Sequence, residues 1–173
     1  MKTMDYTLEQ LNRASTEAFV AALSGIFEHS PWVAGAAAVE RPFASVEALH
    51  RAMSQAVKSA GETKQLALIR AHPELAGKAA VRGELTAEST REQRGAGLNQ
   101  CTQEEFDKLQ SLNRAYREKF GFPFILAVRG YDRQGIIANF EARVNNSRAD
   151  EICANLDEIY RIARFRLDEL IDA

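Results

Sequence analysis

The sequence predicts an all-α fold, a single-domain helical bundle over residues 1–173 with one short extended segment near 122–128. Three observations predict it. Nearly every long stretch repeats its apolar residues at three- and four-residue intervals, the period of a helix with one face toward a core. Helix-starting Ser and Thr and helix-stopping Gly and Pro punctuate those stretches at helix lengths. The run Phe122-Pro-Phe-Ile-Leu-Ala-Val128 alone reads as extended.

The elements follow in order. Thr7 to His29 carries Leu8, Leu11, Phe19, Leu23 and Ile26-Phe27, as two helices broken near Ala14-Ser15. Pro31 stops it, and Trp32 to Val39 is short and alanine-rich. Ser45 is placed to cap a helix through Ala60, which Gly61 ends in the left-handed position a glycine tolerates. Glu62 to about Ala71 forms the next helix, which Pro73 must terminate. Glu74 to Leu85 reads as irregular, and Ala87 to about Arg94 as a shorter helix before Gly95. Thr102-x-x-Glu105 is a capping box that opens a long helix to Phe120, closed by Gly121. Helix resumes from about Gln134 to Val144, and Ser147-x-x-Asp150 opens the last one. A lone extended run has no strand to pair with, so its backbone groups need other partners, a bound ligand among them.

Composition narrows the function classes. The 173 residues suit one domain, and 46% hydrophobic with 27% charged residues is an ordinary foldable balance. The formal net charge of -2, spread along the chain, leaves no basic block to neutralise phosphates, so nucleic acid is not an expected partner. No apolar run approaches a membrane span, and MKTMDYTLEQ lacks the apolar stretch of a signal peptide. The end Ile171-Asp172-Ala173 carries neither a peroxisomal tripeptide nor a lipidation box, so the expected location is the cytoplasm. Cys101 and Cys153 stand outside any CxxC or Cys/His cluster and read as reduced thiols or small core residues.

Few residues suggest chemistry. His29, His50 and His72 show no metal-ligand spacing, so no metal is expected. His29 and His50 read as helical residues with nothing polar marking them. His72 lies where Pro73 forces a helix to stop, and the negative end of the helix dipole favours the imidazolium there. That suits a proton donor or, equally, a helix cap. Ser89-Thr90-Arg91-Glu92-Gln93 packs polar groups into little more than a turn, with Ser89, Glu92 and Gln93 on one face. Such a face has the donors and acceptors a ureido or imide group needs, or it is simply solvated. In the last helix Ile152, Leu156, Ile159, Ala163, Arg166 and Leu170 follow a 4-3-4-3-4 spacing, and Arg166 interrupts the apolar stripe. A buried guanidinium there needs an acid, with Glu92 or a substrate carboxylate as candidates; the alternative is an arginine that reaches out to the rim. Arg161 and Arg164 fall off the stripe and read as solvated. Arg143 reads as a local pairing residue.

Arg70-Ala-His72-Pro73-Glu-Leu-Ala-Gly77, Ser89-x-x-Glu92-Gln93-x-x-Ala96-Gly97-Leu98, Leu112-Asn113-x-x-Tyr116-x-x-Lys119-Phe120-Gly-Phe-Pro-Phe124 and Arg166-Leu167-x-x-Leu170 occur in this order along essentially the whole chain. Together they resemble the decarboxylases of 2-oxo-4-hydroxy-4-carboxy-5-ureidoimidazoline (OHCU), which belong to urate degradation. The resemblance implies an all-helical fold, usually a homodimer, no metal or organic cofactor, and conversion of OHCU to (S)-allantoin. It implies His72 as proton donor, with Glu92 and Arg166 as further catalytic residues. It implies substrate contacts at Pro73, at Ser89, Thr90, Arg91, Glu92 and Gln93, and at Phe124, Ile125, Leu126, Ala127 and Val128. Two rivals stand beside it: a helical adaptor, which would need an exposed apolar groove, and a lyase or hydrolase acting on a different ureide.

Overall fold

The predicted break near Ala14-Ser15 exists, and Ser15 is its cause. The computed structural model describes residues 5–172, with the backbone only of Lys78 and Ala79. Thr7 opens α1 (Leu8–Arg13) through a capping box with Gln10. Ser15 opens α2 (Thr16–Ala22) by accepting the Ala18 amide at 3.1 Å. Ala14 between them is extended, at ψ 155. Arg41 ties the break down: its Nη1 donates to the Leu11 and Ala14 carbonyls at 3.1 and 2.6 Å, and its guanidinium lies 4.7 Å from the Phe19 ring centre.

The helical period through His29 is not realised. α2 stops at Ala22, and residues 23–29 are turns, with His29 at φ 47. The reason is burial: Ile26, Phe27 and Glu28 are each under 5% exposed. A helix would point three successive side chains in three directions, whereas a turn sends them all inward.

The contacts group the chain into two units, Met1–Ala71 with Tyr160–Ala173, and His72–Ile159. In the first unit, α3 (Trp32–Ala38) packs on α2 and on α4 (Val46–Ser59), and α5 (Glu62–Ala71) follows α4. Ser45 caps α4 through the Ala48 amide, and Gly61 has φ +91, both as the sequence predicts. Phe19, Phe27, Val33, Leu49, Met53, Ile69 and Leu167 are among the residues of its core. The sequence does not announce one element: Tyr6–Thr7 (β1) and Ile171–Asp172 (β2) form a two-residue parallel ladder, Tyr6 opposite Ile171. Two residues are too short for any alternation to show.

The second unit holds α6 (Lys78–Val81), α7 (Ala87–Gly95), a 3-10 turn at Leu98–Gln100, α8 (Gln103–Phe120), α9 (Arg133–Arg143) and the first part of α10 (Arg148–Leu170). α6 is a single turn inside the stretch predicted to be irregular. The Thr102–Glu105 capping box forms, and Gly121 closes α8 at φ 81. Tyr116, Phe120, Phe122, Phe124 and Phe140 make one aromatic cluster, with Phe124 stacked on Phe140 at 4.0 Å. Phe122–Val128 is neither helix nor paired strand, as predicted. The fold is therefore all-α in class, and no helix of the described residues is long and apolar enough to cross a membrane.

Candidate active site

His72 is the first residue after α5, where Pro73 bars further helix, and it is 6% exposed. The chain after it turns tightly. Ala76 sits at φ 49, a conformation an L side chain rarely holds unless its surroundings enforce it. Four side chains do so. Gln93 accepts the Ala76 amide at 3.0 Å and donates to the Glu74 carbonyl at 3.3 Å. Gln110 donates to the Ala76 carbonyl at 2.6 Å, and Asn113 to the Leu75 carbonyl at 3.0 Å. Arg117 pairs with Glu74. Gly77 is required by space, since a Cβ there would lie 2.8 Å from that of Glu74. The loop that carries His72 and Pro73 is thus bolted to α7 and α8.

α7 presents the polar cluster largely as its spacing predicts. Ser89 and Gln93 are buried, at 3% and 7% exposure, and Glu92 beside them is half-buried. Gln93 spends one amide hydrogen and one lone pair on the loop, which leaves one of each for a ligand. The Thr90 hydroxyl donates to the Thr86 carbonyl at 2.9 Å, and the Arg91 side chain is exposed. A cavity of about 500 Å³ adjoins this helix, lined by Thr90, Gln93 and Ala76 together with Leu98, Cys101 and Phe106. Burial raises the pKa of the Cys101 thiol, with Glu105 adding to the effect. Among the described residues no three His, Cys, Asp or Glu side chains are arranged to hold a metal ion.

Phe124, Ile125, Leu126, Ala127 and Val128 are all buried, at 1% to 6% exposure. Burying a large apolar side chain is worth roughly 1.5–3 kcal/mol, of the same order as fixing its backbone and rotamers. The polar backbone groups therefore decide whether the run stays in place. α10 and α9 supply their partners. Asn155 accepts the Ile125 amide at 2.9 Å and donates to the Pro123 carbonyl at 3.1 Å. Glu158 accepts the Ala127 amide at 3.2 Å, and Arg143 donates to the Ile125 carbonyl at 2.6 Å.

Arg166, in the first unit, is 4% exposed, so it stays within the apolar stripe and does not reach the rim. The acid that a buried guanidinium demands is Glu28, at 2.9 Å, and the Gly25 carbonyl accepts from Nη1 at 2.9 Å. The sequence pattern offered Glu92 or a substrate carboxylate as partners and did not name Glu28. Glu28 was discoverable only as an acid lodged directly after Ile26-Phe27. His50 lies 2.7 Å from the Tyr160 carbonyl, a structural bond on α4. Arg164 pairs with Asp168 at 3.0 Å, and Arg161 is exposed.

Sequence reasoning gave Arg143 too small a role. Its Nε meets Glu151 at 2.9 Å, its Nη2 meets the Asn155 oxygen at 2.8 Å, and its guanidinium lies 4.3 Å from the Phe124 ring centre. Tyr116 completes the set by donating to Glu151 at 2.6 Å and accepting from Asn155 at 3.1 Å. Burial, reinforced by the bond to Glu151, pushes the Tyr116 hydroxyl well above its ordinary pKa of 10. The folded state therefore favours the protonated form. That stability is complete below the unfolded value and is lost as pH rises past it. Urea midpoints measured from neutral pH to above pH 10 should fall for the wild type at the alkaline end. Tyr116→Phe should be about 1–3 kcal/mol less stable at neutral pH and should show a shallower alkaline decline. An equal decline in both would place the alkaline effect elsewhere.

Comparison with known proteins extends these observations. A family model described as OHCU decarboxylase matches residues 12–168. The chain is 44% identical over 165 residues to the 2-oxo-4-hydroxy-4-carboxy-5-ureidoimidazoline decarboxylase of Haloferax volcanii, covering 95% of this chain and 96% of that one. It is 43% identical over 166 residues to the uric acid degradation bifunctional protein PucL of Bacillus subtilis, covering 96% of this chain and 33% of that one. The crystal structure of an (S)-allantoin synthase superposes with a TM-score of 0.78 at 29% identity, over 96% of this chain and 54% of the other.

Proposed function

The chain belongs to the OHCU decarboxylase family, and from that premise we propose that it decarboxylates OHCU to (S)-allantoin. The observation that carries the reading is the family match over residues 12–168, which takes in the bolted His72 loop, α7 and the extended segment together. The substrate bears a carboxylate and a hydroxyl on one ring carbon. When the bond to the carboxylate breaks, carbon dioxide leaves and its electron pair passes to the ring carbon and the conjugated ring beyond. The hydroxyl on that carbon then gives up its proton to become the ring carbonyl, and a proton must reach the adjacent, ureido-bearing carbon from one face. His72 delivers it, in this reading, from a loop whose strained turn is fixed by four side chains. Proton transfer from a positioned group is worth about 10²–10⁴-fold.

Glu92 orients His72 or takes the hydroxyl proton. Ser89, Gln93 and the backbone of Phe124 to Val128 hold the ureido and ring amides, with Pro73 closing the site beside His72. The substrate's own ring is the electron sink, so the reading calls for no cofactor. We place the enzyme in the cytoplasm as a homodimer.

Two experiments test the assignment. Turnover of freshly made OHCU against a panel of other ureides should favour OHCU; equal or better turnover of another ureide would transfer the reading to that substrate. Glu92→Gln should lower kcat by about 10²-fold or more, within the range general acid–base catalysis supplies, and leave (S)-allantoin binding nearly intact. Equal losses in both would make Glu92 a binding residue.

A further inference from the structure

The extended run 122–128 has one backbone edge on which side chains engage the Pro123 carbonyl, both polar groups of Ile125 and the Ala127 amide. In an extended chain the N–H and C=O groups of successive residues point to opposite sides. Those of Pro123, Ile125 and Ala127 meet Asn155, Arg143 and Glu158 at 2.6 to 3.2 Å. The Asn155 amide alone takes the Ile125 N–H and gives to the Pro123 carbonyl, as the peptide of a neighbouring strand would. The same alternation turns the backbone groups of Leu126 and Val128 to the other side.

We propose that Arg143 and Asn155 are positioning residues for the reaction: they fix the register of this segment so that the backbone of Leu126 and Val128 meets the ureido and ring amides of the substrate. The inference rests on the function proposed above and adds residues to it. Apolar burial is non-directional and would let the run slide by fractions of an ångström, whereas holding a reactant in place tolerates little displacement. Every donor nitrogen of Arg143 is committed: Nε to Glu151, Nη1 to the Ile125 carbonyl, Nη2 to Asn155 and Glu151. The Asn155 amide is committed likewise, to Ile125, Arg143, Tyr116 and Pro123. A network so filled is rigid. An apolar replacement would hold the aromatic cluster together at less desolvation cost. A buried guanidinium does what such a replacement does not, which is to set the segment's register.

Arg143→Lys tests this, because lysine keeps the charge beside Glu151 but offers one nitrogen in place of three. Asn155→Ser is the second variant. Each is compared with the wild type for circular dichroism and thermal midpoint, kcat, KM for OHCU and Kd for (S)-allantoin. Folded variants should show KM and Kd raised together by about tenfold, the loss of one hydrogen bond, with kcat per folded molecule changed far less. Folded variants with unchanged KM and Kd overturn the inference, as does loss of the fold in both variants. A wild type that neither turns over OHCU nor binds (S)-allantoin overturns the underlying function, and the inference with it. That control separates the two failures.

Discussion

Replacing His72 with alanine is expected to remove about 10²–10⁴-fold from kcat/KM, the worth of one positioned proton donor, while the protein still folds. The fold should survive because the turn after His72 is held by Gln93, Gln110, Asn113 and Arg117, none of which the substitution touches. Product binding should fall much less than turnover, since a proton donor acts on the developing carbanion and not on the neutral amides. Steady-state kinetics and an (S)-allantoin titration on the same preparation check both halves. A variant with near-normal turnover removes His72 from the proton-donor role.

The second large effect concerns stability. Arg166→Met should destabilise the protein by about 3–5 kcal/mol, the cost of leaving one charge of a buried pair without its partner. The side chains of Arg166 and Glu28 are 3% and 1% exposed, so the carboxylate that loses the guanidinium gains little from water, and its other cationic neighbour is the imidazole of His29 at 3.7 Å. The double variant Arg166→Met with Glu28→Leu should recover most of that loss, because a buried pair replaced by apolar groups is often neutral or better. Urea midpoints of the three proteins decide it. An Arg166→Met protein as stable as wild type would mean that the Arg166–Glu28 pair does not hold the fold. The sequence pattern offered Glu92 or a substrate carboxylate to this guanidinium; the structure gives it an acid at residue 28.

The Arg166–Glu28 pair shows where the sequence was legible and where it was not. Helix starts were readable because capping is local: Ser15, Ser45 and Thr102 each act on an amide three residues away. The stripe on α10 was readable for the same reason, including its interruption at Arg166. Partners far along the chain were not. Glu28 and Arg166 are 138 residues apart, and Asn155 and Ile125 are 30 apart. No periodicity links such positions, and each residue taken alone looks ordinary. Arg143 was underestimated on this account, since all three of its hydrogen-bond partners lie on α10 or in the extended run. The failure at residues 23–29 has another origin: burial of three consecutive side chains overrode a helical pattern. The family motifs pointed to the family because together they run in order along essentially the whole chain.

Circular dichroism during the decay of freshly generated OHCU tests the central claim most directly. Unassisted, OHCU passes to racemic allantoin, which leaves no optical signal. With the wild-type protein present, OHCU should disappear faster and leave a persistent signal of the (S) enantiomer. Loss of OHCU at the unassisted rate, with no lasting signal, would contradict the account.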